Sequence, residues 1–137
     1  MNSMLPQSAQ TILEVGCGNG YLSLELARDG HDVTGIDLSV DIIEVAERSQ
    51  AAHPAPPGFG CLCYLCTDVN TYQAADSSFD AVIFNRALHH MHDLYQTMAT
   101  VKRLLKPKAG SFARITPMIA LIPRRPPGSI RCNACSS

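Results

Sequence analysis

Apolar positions along this chain fall into short continuous runs, separated by stretches in which they recur at helical spacing. Residues 12–15, 32–36, 61–66 and 79–85 form the runs. Their lengths and near-continuous apolar character predict strands of a sheet covered on both faces. Between them, Leu22, Leu24, Leu26 and Ala27 mark a helix over 20–28, with Gly30 just past its end as a C-cap signal. Ser39 is an N-cap residue for a second helix over 40–50, whose apolar face is Ile42, Ile43, Val45 and Ala46. A third helix spans 93–105, with Leu94, Met98, Val101, Leu104 and Leu105 on one side, and Pro107 stops it. Pro54, Pro56, Pro57 and Gly58 make a loop, and 70–78 reads as a loop with one helical turn. This alternation predicts an α/β fold: a Rossmann-like, mostly parallel sheet with helices on both faces.

The pattern degrades after Pro107. Residues 111–115 read as a fifth strand, and Pro117, Pro123, Pro126 and Pro127 crowd the chain beyond it. The apolar stretch from Met118 to Ile122 is hemmed in by prolines at both ends. Residues 116–137 are therefore expected to be an irregular Pro-rich tail, and the sheet incomplete, with four to five strands. The expected organisation is a short N-terminal extension over 1–10, one domain over 11–115, and the tail. A fifth strand left at a bare edge is a site for self-association.

Composition narrows the class. The 137 residues suit one domain, and an apolar fraction of 46% supplies a core. The formal net charge is −1 and no basic run occurs, which argues against nucleic-acid binding. No apolar stretch is long enough to span a bilayer, and the first ten residues lack a charged-then-apolar leader pattern. A cytoplasmic protein is expected. Of six cysteines, Cys61 and Cys63 share one face of their strand and Cys66 takes the other, a poor arrangement for zinc. These three are expected to be small buried hydrophobes. Cys132 and Cys135 lack a matching second pair, so no metal is expected.

The chemistry is concentrated in the loop after the first strand. Gly16, Gly18 and Gly20 alternate with Cys17 and Asn19, and the second strand ends on Asp37. The dinucleotide fingerprint requires glycine at its first, third and sixth positions. Here the glycines stand first, third and fifth, and Tyr21 fills the sixth. Alternating glycines let the backbone approach a ligand where side chains would clash, and the helix N-terminus that comes next suits a carboxylate. Asn85 ends the fourth strand, at the edge where open sheets bind ligands. His89, His90 and His92 come after it. His89 and His90 are candidates for a general base; lining the cleft or capping the next helix is the competing reading.

The string Glu14-Val15-Gly16-Cys17-Gly18-Asn19-Gly20 resembles motif I of the class I S-adenosylmethionine-dependent methyltransferases. Three further stretches extend the resemblance over about four-fifths of the chain. Cys66-Thr67-Asp68-Val69 looks like the segment after the third strand. Phe79-Asp80-Ala81-Val82-Ile83-Phe84-Asn85 looks like the fourth-strand motif. Arg86 to Met91, then Leu104-Leu105-Lys106-Pro107, resembles the small-molecule branch that includes the ubiquinone/menaquinone methyltransferases. The resemblance implies S-adenosylmethionine as cofactor, held by Glu14, Gly16, Cys17, Gly18, Gly20, Asp37, Leu38, Asp68, Val69 and Asn85. Glu14 would balance the cofactor's positive charges, Asp37 take the two ribose hydroxyls, and Leu38 pack on the adenine. Asp68 would accept from the adenine amino group, with Val69 as an apolar contact. The implied activity is methyl transfer to a small-molecule acceptor. The alternative is a cofactor-binding, non-catalytic or regulatory fragment, since the family's usual seven-stranded sheet implies a C-terminally truncated chain. A dinucleotide-dependent oxidoreductase is the third reading, opposed by the glycine spacing.

Overall fold

The structure, a computed structural model, describes residues 9–53, 55–85, 93–106, 112–116 and 118–122. Its element order is β1 (Thr11–Val15), α1 (Tyr21–Arg28), β2 (Asp32–Asp37), α2 (Val40–Ala52), β3 (Cys61–Cys66), β4 (Ala81–Asn85), α3 (Leu94–Leu104), β5 (Phe112–Thr116) and β6 (Met118–Ile122). The strands make one sheet in the order β3-β2-β1-β4-β6-β5. The four from β3 to β4 run parallel, while β6 is antiparallel to both β4 and β5. The sheet is thus α/β, mostly parallel and Rossmann-like as expected, but it has six strands among the described residues rather than four to five. The sixth is the apolar run Met118–Ile122, expected to be part of an irregular tail. Flanking prolines do not prevent a five-residue strand, because an N–H is lost only at the proline itself. The remainder of that stretch, 123–137, lies outside the described residues.

The period-2 alternation of the strands divides the core in two. Ile12, Val33, Leu62, Ala81 and Ile83 face α1 and α2, meeting Leu22, Leu24, Leu26, Ala27, Ile43 and Ala46. Leu13, Val15, Ile36, Val82 and Phe84 face the other way, against Val101 and Leu104 of α3. Adjacent residues of one strand serve opposite layers, which is why the strands read as continuous apolar runs. Local chemistry sets the helix ends. Gly30, at φ 97°, closes α1 with a Schellman pair: its N–H donates to Ala27 O at 3.0 Å, and that of His31 to Leu26 O at 3.2 Å. Ser39 Oγ accepts from Ile42 N at 3.4 Å, capping α2, and Asp93 Oδ1 accepts from Gln96 N at 3.0 Å, capping α3. The α2 face is narrower than expected: Val45 is exposed and Ile42 only half-buried, while Ile43 and Ala46 reach the core. On α3, Leu94 is likewise exposed.

At the amino end of the sheet, β4 is tied to β1 and to the end of α3. Asp80 Oδ2 accepts from Thr11 N at 2.8 Å, and Asp80 N donates to Thr11 O at 2.8 Å. Lys106 Nζ lies 3.2 Å from Asp80 Oδ1, an ion pair with both side chains buried and with angles outside hydrogen-bond geometry. Lys106 N also donates to Phe79 O at 2.9 Å. No helix among the described residues is long and apolar enough to cross a membrane.

Candidate functional site

β1 lies between β2 and β4, and the chain leaves β1 on the β2 side but reaches β4 only after β3. This reversal of strand order opens a crevice at the carboxyl ends of β1 and β4, the usual ligand position in such sheets. The glycine loop runs along it. Gly16, Gly18 and Gly20 have φ of 74°, 57° and 82°, a region that residues with a Cβ enter only with strain. Gly16 N and Cys17 N both donate to Ile36 O, at 2.9 and 3.0 Å, which holds the loop against the end of β2. A Cβ built on Gly18 would meet no atom within 4 Å, so this backbone is presented bare to open space. Gly20 is constrained from within instead. A Cβ there would overlap the Tyr64 hydroxyl and come within 2.7 Å of its Cζ. That hydroxyl donates to Gly20 O at 3.1 Å.

Asp37 closes the loop from β2. Its Oδ2 accepts from Gly18 N at 3.1 Å and its Oδ1 from Ser39 N at 3.0 Å. The carboxylate is half-exposed, and each oxygen accepts one of these bonds. Leu38 beside it is 73% exposed, an apolar side chain standing free at that rim. Asp68 is half-buried, and its Oδ1 accepts from Asn70 N at 2.8 Å in an Asx turn.

Glu14 is the unusual member. It is 0% exposed, on the α1 face of β1 two residues beyond Ile12. Ser23 Oγ of α1 donates to its Oε1, and Asn85 Nδ2 of β4 to its Oε2 at 3.1 Å. The Ser23 backbone N–H donates to it as well. Gly20, the N-cap of α1, has no side chain with which to cap the helix. Glu14 takes over that task from the neighbouring strand, placing a carboxylate at the positive end of α1. Burial pushes its carboxyl up from 4.5 to about 7, against the lowering effect of the Ser23 and Asn85 bonds; the charge of Asp37 adds to the rise.

Two expected contacts point elsewhere. The Cys17 side chain is buried in the core with Ile12 and Tyr64, and burial pushes its thiol up to about 12, so only its backbone belongs to the loop. Val69 is 1% exposed and packs with Leu13, Ile36 and Phe79. His89 and His90 lie outside the described residues. Of the three cysteines expected to be buried, Cys61 is buried, Cys63 is intermediate and Cys66 is exposed. No group of His, Cys, Asp and Glu that could hold a metal occurs among the described residues.

Sequence reasoning missed three residues. Ser23 binds Glu14; its signal was a serine set among the leucines of α1's first turns. Tyr64 buttresses Gly20, and nothing in a cysteine-rich strand announced it. Asn70 donates to Thr97 Oγ1 at 3.2 Å and accepts from Thr100 Oγ1 at 2.8 Å, pinning the Asp68 turn to α3.

Comparison with known proteins agrees with this geometry. The methyltransferase domain family matches residues 13–112. An uncharacterized methyltransferase of Mycobacterium bovis is 32% identical over 116 residues, covering 85% of this chain and 55% of that protein. A 2-phytyl-1,4-naphtoquinone methyltransferase of Nostoc punctiforme is 34% identical over 108 residues, covering 75% and 45%. The crystal structure of a SAM-dependent methyltransferase from Methanosarcina mazei superposes with a TM-score of 0.69 at 31% identity, over 77% of this chain and 52% of that one. The chain thus spans about half the length of the relatives it matches. With its glycine loop, the acid ending β2 and its mostly parallel sheet all in place, this chain belongs to the methyltransferase domain family.

Proposed function

We propose that the crevice binds S-adenosylmethionine and that the protein transfers its methyl group to a small-molecule acceptor. The bare backbone of the glycine loop, held between Asp37 and Tyr64, is the observation that carries this reading. The residues present fit the cofactor. Gly18 leaves room for a ligand's approach, Asp37 has lone pairs left for two hydroxyls, and Leu38 offers an exposed apolar face for a purine. Asp68 keeps Oδ2 for the adenine amino group, while its Oδ1 is fixed by Asn70. Glu14, beneath the loop, supplies negative charge toward a cationic ligand.

The cofactor brings an electrophilic sulfonium methyl. Displacement at that carbon needs an aligned nucleophile and exclusion of water more than acid–base machinery. The chain's own task is to hold and orient, which suits a site made of backbone, three acids and an apolar side chain. The relative named for a naphtoquinone supports an acceptor within the small-molecule class.

Two measurements test this reading. S-adenosylmethionine or its demethylated product is expected to raise the thermal midpoint, and NADH to leave it unchanged, since only a ligand of the native state stabilises it. Stabilisation by NADH alone would overturn the assignment. The second measurement concerns Asp37→Ala. Hydrogen bonds to a charged group contribute about 1.5–3 kcal/mol each, so cofactor affinity should fall at least about tenfold. Calorimetric titration at matched temperature reads that loss apart from any drop in apo stability caused by freeing Gly18 and Ser39. Unchanged affinity would leave Asp37 a brace for the loop and nothing more.

A further inference from the structure

One row of residues crosses the sheet at a single register: Ile83 of β4, Glu14 of β1, Gly35 of β2 and Tyr64 of β3. Gly35 alone brings no side chain to that row, and the space above it is taken from β3. A Cβ built on Gly35 would stand 2.9 Å from Tyr64 Cδ1 and 3.0 Å from Cys17 Cβ. The buried Tyr64 ring therefore leans across β2. This brings its hydroxyl to the α1 end of the glycine loop, where it donates to Gly20 O at 3.1 Å. Burial pushes the ionisation of the phenol upward, so the group stays a donor.

The fold does not require this bond. Gly20 O already accepts from Leu24 N at 2.9 Å, in the first turn of α1. Removing the phenol hydroxyl would leave that carbonyl a partner, so no buried acceptor would be stranded. What the hydroxyl fixes is position. Gly20 is the N-cap of α1 and makes no side-chain bond of its own. The opposite end of the loop is held by Ile36 O, which takes Gly16 N and Cys17 N, and by Asp37, which takes Gly18 N. Tyr64 thus anchors the α1 end of a loop whose β2 end is anchored separately.

We propose that Tyr64 is a positioning residue of the cofactor site, whose hydroxyl sets the backbone of residues 18–20 for the amino-acid end of the ligand. The inference rests on the function proposed above and adds a residue to it. There the nucleoside falls to Asp37, Leu38 and Asp68, at and just beyond the carboxyl ends of β2 and β3. The rest of the ligand runs along the glycine loop, whose backbone is bare at Gly18. A loop already held where the ligand needs it costs less to order on binding. Losing one neutral hydrogen bond that holds it corresponds to a change in affinity of about fivefold. That change should fall on ligands that possess the amino-acid end and spare those that lack it.

The test is calorimetric titration of the full chain, parent and Tyr64→Phe, with S-adenosylhomocysteine and with methylthioadenosine. The two ligands share the nucleoside and the thioether sulfur, and the second lacks the amino-acid end. Thermal unfolding without ligand is run on both proteins. Tyr64→Phe is expected to bind S-adenosylhomocysteine about fivefold more weakly and methylthioadenosine within about twofold of the parent. Its thermal midpoint should stay within about 5 °C of the parent's. A merely structural tyrosine would instead lower the midpoint and weaken both ligands alike. Equal losses for the two ligands, no loss for either, or a larger fall in the midpoint would overturn the inference while leaving cofactor binding intact. Failure of both ligands to bind the parent would overturn the proposed function and this inference together.

Discussion

Lys106→Met is expected to destabilise the fold severely, although Lys106 lies at the end of the sheet away from the crevice. Its Nζ is 3.2 Å from Asp80 Oδ1, with the two side chains 7% and 0% exposed. Removing one member of a buried ion pair leaves the other charge uncompensated, at a cost of about 3–5 kcal/mol. For a chain of this size that lowers the thermal midpoint by more than about 10 °C. The carboxylate cannot simply turn to water, because Asp80 Oδ2 is engaged with Thr11 N and its strand is covered on both faces. Adding Asp80→Asn should restore much of the stability at neutral pH. Denaturant unfolding of the parent, the single variant and the double variant reads these differences. A loss below about 1 kcal/mol for Lys106→Met, the range of exposed pairs, would mean that the pair is dispensable.

The second large effect has the opposite sign. In the ligand-free protein, Glu14→Gln should stabilise the fold at pH 8. The folded carboxyl is raised from 4.5 to about 7, so the native state holds a proton that the unfolded chain has already lost. Stability from this group is therefore greatest below pH 4.5 and falls as pH rises toward 7. The full penalty is present above that, amounting to about 3 kcal/mol for a displacement of this size. Glutamine keeps the shape and can still accept from Ser23 while avoiding the charge. The variant should match its parent at pH 4.5 or below and exceed it by up to about 3 kcal/mol at pH 8. Thermal unfolding across pH, without ligand, measures this. Equal stability of the two proteins at pH 8 would show that Glu14 is not strained by ionisation. A group kept at a cost to stability is what a ligand site commonly carries.

Both predictions concern charges that the sequence displays openly but does not explain. Glu14 sits inside an apolar run, Ile12 to Val15, and period-2 alternation places it on the α1 face with Ile12. Its burial could be foreseen from that. The identity of its partners could not, because Ser23 lies nine residues away and Asn85 seventy-one. Asp80 and Lys106 stand on opposite sides of β4 and α3 in the sequence, and meet where Phe79 pairs with Leu105. Val45 and Leu94 matched their helical periods yet remain exposed. Periodicity identifies a helix face, but not how much of that face a neighbour covers.

The order of elements and the position of the crevice were legible in the linear string. Apolar runs, cap residues and glycines act within a few residues of themselves, so β1 to β4, all three helices, the Ser39 cap and the glycine loop could be read with bounds close to those found. Three other features came from packing between distant segments. Met118–Ile122 became a sixth strand because β6 draws its hydrogen bonds from β4 and β5 rather than from its own residues. Cys17 and Val69 turned inward because the faces of neighbouring elements close around them. Glu14 became a buried acid with no ion pair among the described residues because desolvation depends on everything packed around a group, and a linear string does not carry that information.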